Sequence, residues 1–251
     1  MSVYVTLAGQ VMDGTPDSEG VRWFTGADIV GYDSPPVRIN DQERTAAHGG
    51  YGPERLYASR ILTLPGWCEC PSLEAAFAVR ERLHGLMSGE LIVHEPVPKV
   101  LTVVSGGAPR STEPLDGPNP LVEWSIPLIA RNPFKRALDP VTVAIAAGGT
   151  GSFTATGRFP AELEVTTTSS GTVHVEQGGL AIMASSVPSG TVFTSGPGFA
   201  NLPRSVVGPG GEDLYSLTLP GTQWPAVVPG ANSILNQGTA AVQVRYFPTY
   251  A

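Results

Sequence analysis

The chain has 251 residues, a formal net charge of −7 and only 15% charged side chains, against about a quarter in an average soluble protein. Its length is ample for two cores, its acidic balance argues against a general polyanion-binding surface, and no run approaches the ~18 apolar residues of a membrane span. With 30 Gly and 24 Pro it stops just short of a low-complexity composition, so a folded, turn-rich protein is expected.

The opening MSVYVTLAGQ has no basic n-region or sustained apolar stretch, and is read as carrying no secretory leader. Strands are expected at Val3 to Ala8, Val21 to Phe24, Val37 to Asn40 and Arg60 to Leu64. MDGTPDSEG, between the first two, reads as a long loop. Cys68 and Cys70 stand two apart, a spacing that strains a disulfide, and so read as reduced thiols.

The helix signal is SLEAAFAVRERLHGLMSG. Ser72 is the expected N-cap, with Glu74 in the first turn. Leu73, Ala76, Phe77, Leu83, Leu86 and Met87 form the expected buried face, Arg80, Glu81 and Arg82 the exposed one, and Gly89 the C-cap. Gly85 weakens the last turn by up to ~1 kcal/mol relative to Ala. Further strands follow at Leu91 to His94, Val100 to Val104 and Leu121 to Ala130. Between the last two lies SGGAPRSTEPLDGPNP, where Pro109, Pro114, Pro118 and Pro120 forbid helix or central strand. Loops of that length are often functional or contact-making.

Charge drops near residue 140: residues 1–140 hold 17 acidic and 12 basic side chains, residues 141–251 only 5 and 3. Two domains are therefore expected, 1–140 and 141–251, with the boundary after ARNPFKRALDP. In the second, ELEVTTTSSGTVHVE alternates with period two and reads as a hairpin closed by Ser169-Ser170-Gly171, pairing Thr167 with Val173, Val165 with Val175, and Thr166 with His174. Strands at Leu180 to Ala184, Thr191 to Thr194, Arg204 to Val207, Leu214 to Leu219 and Ala241 to Phe247 complete a helix-free β-sandwich. In the last of them Val242, Val244 and Tyr246 point inward and Gln243 and Arg245 outward.

Chemistry-bearing patterns are sparse. There is no G-x-S-x-G elbow, S-x-x-K, H-E-x-x-H or phosphate loop, and His94-Glu95 is followed by Pro96 and Pro98, which break the helix a zinc motif needs. Cys68, Cys70, His48, His84, His94 and His174 lack metal-ligand spacing. Glu162 and Glu164 are candidates for an acid pair as in a glycosidase, but alternation alone accounts for them as the solvated side of a half-buried strand, which is the favoured reading. Trp67 and Trp224 lie beside turns, where a Trp either plugs the end of a sandwich or stacks on a sugar; the plug is favoured, and Trp124 lies in a strand. No catalytic, cofactor-binding or metal-binding residues are assigned, no cofactor is expected, and the chain is not read as an enzyme.

Three segments together resemble the distal tail protein (Dit) family of long, non-contractile-tailed bacteriophages. The first is VGYDSPPVRINDQERTAAHGGYGPERLYASRILTLPGWCE, with Tyr32, Pro35, Pro36, His48, Gly49, Arg60, Ile61, Leu64 and Gly66 at the family's pattern positions. The second is the helix, LIVHEP and the exit LIARNPFKRA with Pro133, where Asn132 replaces a more familiar Asp. The third is TQWPAVVPGANSILNQG and AAVQVRYFPTY, with Trp224, Pro229, Gly230, Asn232 and Val242 to Phe247.

The resemblance implies a mainly β protein, its first domain a tail-tube-like β-sandwich or barrel with one helix and its second a galectin-like β-sandwich projecting outward. It implies a structural virion component at the tail tip, assembled in the host cytoplasm as a homohexameric ring. Its partners would be tail tube, tape measure and baseplate or tip proteins, with DNA passing through unbound and no membrane insertion. The alternative is a carbohydrate-binding module that contacts host glycans, weakly, through the second domain.

Overall fold

Alternating burial along the chain builds almost every element of the computed structural model, which describes residues 4–26, 28–33, 37–40, 54–114, 117–195 and 204–250. Contacts divide it into one unit running to Leu138 and a second from Asp139 to Tyr250. The charge shift had pointed to residue 140.

The first unit runs β1 (Tyr4–Leu7), β2 (Gln10–Pro16), β3 (Arg22–Thr25), β4 (Val37–Asn40), β5 (Glu54–Tyr57), β6 (Arg60–Glu69), α1 (Leu73–Gly85), β7 (Gly89–His94), β8 (Lys99–Ser105), β9 (Arg110–Ser111), β10 (Leu121–Ala130) and β11 (Lys135–Ala137). Seven of these strands close an antiparallel barrel in the order β8-β7-β1-β2-β3-β6-β10, sealed where Val104 and Ser105 of β8 meet Ile129 and Leu128 of β10. Closure removes the free edges that an open sheet would present. β9 lies on the far side of β10, β11 beside β8, and β4 and β5 form a separate hairpin.

The long loop expected after β1 is instead the strand β2. Ala8 and Gly9, both at positive φ, make a two-residue turn, so Leu7 pairs with Gln10 and Val5 with Met12. Turns of that twist suit a right-handed hairpin. The following turn is held by Asp17, whose Oδ1 accepts from the backbone N–H groups of Glu19 and Val21 at 2.9 and 3.0 Å.

Helix α1 starts as expected: Ser72 Oγ accepts from the Ala75 N–H at 3.2 Å. It ends at a Leu86 cap, whose N–H reaches the Leu83 carbonyl; Gly89, at φ 141, opens β7. The buried face is also turned from the expected one. Ala76, Val79 and Leu83 are buried, whereas Leu73 and Phe77 are 42% and 48% exposed. Small side chains at the contact let the helix lie close on β6 and β10, which moves the larger pair to the edge. Arg82 fixes this orientation. Its guanidinium lies 5.0 Å from the ring centroid of buried Trp23 and donates to Asp17 at 2.6 Å, Glu19 at 2.9 Å and Gln10 at 3.1 Å. Burial raises the Asp17 carboxyl, but donation from Arg82 and the Trp23 indole outweighs it and holds the group below its ordinary value.

The second unit runs β12 (Val141–Ile145), β13 (Thr150–Ala155), β14 (Leu163–Thr167), β15 (Gly171–Gln177), β16 (Leu180–Val187), β17 (Val192–Thr194), β18 (Ser205–Val207), β19 (Gly230–Asn236) and β20 (Val242–Tyr246). They form two antiparallel sheets, β12-β20-β14-β17-β18 and β13-β19-β15-β16. Inward side chains of both, among them Leu163, Val165, Phe193, Val244, Val175, Ile182 and Ile234, share one core.

The expected hairpin of β14 and β15 does not form, although the inward parity of both strands is as expected. Thr166 faces Val192 and Gln243, and His174 faces Met183. The connection instead passes from one sheet to the other, pinned by the chain at 239–241. Thr168 N–H donates to the Ala241 carbonyl at 2.8 Å and Ala240 N–H to the Thr172 carbonyl at 3.0 Å. Gly171 sits at φ +153 with this segment so near that a Cβ would meet Thr239 Oγ1 at 2.6 Å. Leu214 to Leu219 is not a strand either. Asp213 Oδ1 accepts from the Tyr215 N–H at 2.9 Å and starts a 3-10 turn over Tyr215–Leu217.

Candidate assembly surface

Strand β6 carries two opposite characters on its two sides. Outward from the barrel it presents Ile61, Thr63, Pro65 and Trp67, in register with Ile129, Pro127, Ser125 and Glu123 of β10. Ile61 is 73% exposed and Val30, bridged to Thr63, is 65% exposed. Trp67 does not plug a core. It stacks on Phe24 at 5.2 Å beside a shallow groove of about 380 Å³ that Pro65 and Leu121 also line. This apolar strip is the kind of exposed patch that marks a protein contact.

Inward, β6 begins with Arg60, fully buried. Its Nε donates to the Pro133 carbonyl at 2.7 Å, and its Nη1 to the carbonyls of Tyr32 and, at 3.4 Å, Gly31. Nη2 is buried without a hydrogen-bond partner. Lys135, 5% exposed, donates from Nζ to the carbonyls of Tyr32 and Asp33 at 3.1 and 3.4 Å and lies 4.2 Å from the Tyr32 ring centroid. The Tyr32 hydroxyl donates to Glu95 at 2.9 Å, and Lys99 donates to the same carboxylate at 2.9 Å.

Residues from two of the sequence segments quoted above, Tyr32, Arg60, Glu95 and Pro133, thus meet in one node behind the outer face. Of the other pattern residues there, Pro35, Pro36, His48 and Gly49 lie outside the described residues. The third segment meets elsewhere: Asn232 Nδ2 donates to the Val228 and Gly230 carbonyls, and its Oδ1 accepts from the Val228 N–H, which ties the turn before β19.

The node is short of negative charge, and its pKa values follow from that. Burial first, then the neighbouring charges of Arg60 and Lys99, pull the Lys135 ammonium down to about 8. Burial and the Glu95 carboxylate push the Tyr32 phenol far up. Burial raises Glu95, but donation from Lys99 and Tyr32 outweighs it and holds the carboxyl below its ordinary value. Between pH 8 and 10 the unfolded chain therefore binds the Lys135 proton more tightly than the folded one, so this residue's contribution to stability rises with pH. Paired urea titrations of the wild type and Lys135→Met are expected to show the wild type gaining about 2 kcal/mol on its variant from pH 7 to 9.5. A pH-independent difference refutes the buried-cation assignment.

The other candidate residues are scattered. Cys68 and Cys70 are buried free thiols; Cys68 Sγ accepts from the Trp124 indole at 3.2 Å, and burial pushes the Cys68 thiol far up. His94 stacks on Tyr4 at 4.1 Å and hydrogen-bonds Thr6, while His84 is exposed on α1. Glu164 is not solvated as expected: it pairs with Arg245 across β14 and β20 at 3.0 Å, with a side chain only 12% exposed. Trp224 packs on the second core. Among the described residues no three His, Cys, Asp or Glu side chains gather as a metal site.

This chain, a closed antiparallel barrel with one helix followed by a two-sheet sandwich, is similar in fold to solved phage hub and baseplate proteins. Over 100% of both chains the protein resembles the Dit protein (gp 19.1) of phage SPP1, described as a paradigm of hub adsorption apparatus in phages infecting Gram-positive bacteria, with 11% identity and a TM-score of 0.69. It also resembles chains of the phage P2 baseplate in its activated conformation, with Ca (10% identity, 98% of each chain, TM-score 0.55) and with Sr (10%, 97% of each chain, 0.51). No family model and no curated protein sequence matches the chain.

Sequence reasoning did not single out Arg60 and Lys135 as buried cations, nor Ile61 as the most exposed large apolar residue of β6. The available signal was parity: Arg60 shares the inward phase of Leu62 and Leu64, which leaves Ile61 outward.

Proposed function

We propose that the protein is a structural virion component: a hexameric ring at the distal end of a phage tail, joining the tail tube to baseplate or tip proteins. The observation that carries this reading is the end-to-end match to a phage tail hub protein, spanning both units in order. The first unit, residues 1–140 in the sequence reading, is the tail-tube-like, ring-forming domain; the second is a galectin-like sandwich. A cyclic ring needs a surface on each copy that receives the next, and the apolar strip of Ile61, Ile129 and Val30 supplies one side. With 17 acidic against 12 basic side chains in residues 1–140, an acidic ring lets DNA slide without the counterion release that drives binding. The role is structural rather than enzymatic, with tail tube, tape measure and tip proteins as partners, in the virion at the tail tip.

Native mass spectrometry and negative-stain imaging of the purified protein test it. Six-membered rings are expected for the wild type. Ile61→Asp is expected to leave monomers with an unchanged melting temperature, because the side chain is already in solvent. A wild type that stays monomeric at high concentration even with tail proteins sinks the ring; rings that survive Ile61→Asp remove this strip from the interface.

A further inference from the structure

Helix α1 displays a stripe that neither the barrel core nor the ring reading uses. Leu73, Phe77, Arg80 and His84 stand at i, i+4, i+7 and i+11, which places them along one line of a helix. Its first half is apolar and solvent-exposed, with Phe77 at 48%. Its second half opens into a groove of about 460 Å³ whose rim carries Arg80, His84, Arg110 and Ser111 over a floor of Leu83 and Pro109.

The groove is assembled by two elements far apart in sequence. Arg80 Nε donates to Ser111 Oγ on β9 at 3.2 Å, which orients the guanidinium across the gap. Its Nη1 meets Glu113 at 3.3 Å, a contact made by a carboxylate whose side chain is 81% exposed. Such an exposed pair is worth little and exchanges readily. Arg110 has no side-chain partner among the described residues and completes a cationic corner on a chain of net charge −7.

We propose that this stripe and groove bind an acidic peptide segment of a partner protein, with Glu113 as the intramolecular stand-in for the incoming carboxylate. Two arginines offer the planar donor forks that suit carboxylates. Phosphate has the same charge complementarity, but the exposed Leu73 and Phe77 have no role in holding it. An apolar side chain about 10 Å from a carboxylate, the rise of seven helical residues, satisfies both halves. In an extended segment that spacing is about three residues, so the recognised pattern is an apolar residue three positions from an acidic pair.

The test is fluorescence anisotropy with labelled acetyl-Leu-Ser-Ser-Glu-Glu-amide, using the full chain at low and high salt. Saturable binding that weakens with salt is expected. Arg110→Ala should weaken it about tenfold, the loss of one charge-assisted contact, and Phe77→Ser by several-fold. Glu113→Gln should strengthen binding, because the competing carboxylate is gone, and by more than Glu212→Gln, the same charge change at an exposed carboxylate of the second unit that reads nonspecific attraction alone. All four positions are exposed or loop-borne, and melting curves check that each variant folds. No saturation at about 5 mM peptide, equal binding by Arg110→Ala, or displacement by inorganic phosphate or single-stranded DNA as readily as by unlabelled peptide overturns the proposal. The measurement does not depend on ring formation, so failure of either reading leaves the other standing.

Discussion

Gly66→Ala is expected to destabilise the first unit by at least about 3 kcal/mol and to lower its melting temperature by roughly 10 °C. A Cβ at this position of β6 would lie 2.2 Å from Trp124 Cζ2 and 2.3 Å from the Phe24 carbonyl oxygen. Neither neighbour can step aside. The Phe24 oxygen belongs to the β3 backbone paired with β6, and the Trp124 ring is buried, bonded to Cys68 and 6.1 Å from Trp23. The strands must therefore separate or the indole must leave its site, and both disrupt the barrel core. Gly85→Ala is the control: nothing lies within 4 Å of its added Cβ, and it is a helical position, so the change should be neutral or stabilise by up to ~1 kcal/mol. Thermal melts followed by near-ultraviolet circular dichroism read both. An unchanged melt for Gly66→Ala refutes the close approach.

Arg60→Met should cost about 3 kcal/mol, measured by urea unfolding, even though it removes a buried charge. Burial pulls the guanidinium below its ordinary value, and its Nη2 has no partner. Both effects penalise the native arginine. Against them stand the carbonyls of Pro133 and Gly31, which lose their side-chain donor, and that of Tyr32, which is left with Lys135 Nζ alone. An unsatisfied buried polar group costs about 1–3 kcal/mol, so two orphaned carbonyls and the lost charge-assisted bond to a third outweigh the relief of one strained cation. Arg60→Lys should recover little, because one ammonium cannot reach the Pro133 carbonyl and those of residues 31 and 32 together. A variant as stable as the wild type would show that the node is dispensable. The same substitution should let the Lys135 ammonium rise toward its ordinary value as a neighbouring positive charge disappears.

What the sequence revealed and what it hid follow from the range of each signal. Period-two alternation in β14 and β15 fixed which side chains face inward, because parity is local. It did not fix partners, since both sheets of a sandwich present the same inward pattern to a shared core. Only the segment at 239–241, some seventy residues away, decides that this chain crosses over instead of turning back. The helix was legible from Ser72 and its apolar spacing, yet its rotation depended on how closely Ala76 and Val79 approach the barrel. The node was hidden for a related reason. A lone Arg beside an exposed Ile reads as surface, and its acceptors are carbonyls, which no sequence pattern displays. The resemblance had already grouped Tyr32, Arg60 and Pro133 with other positions, without saying that they touch.

Barrel closure also sets a schedule for synthesis. The buried guanidinium of Arg60 has no acceptor from Pro133, and β6 no β10, until the chain has grown by some seventy residues. At 5–20 residues per second that is roughly 4–15 s during which β6 has an unpaired edge. The second unit waits similarly, because β20 lies between β12 and β14 and both need it. A chain that stops short of Ala130 consequently has no closed barrel, and one that stops short of β20 has no complete sandwich. Strand order thus withholds the finished surface of each unit until its last pairing strand has been made.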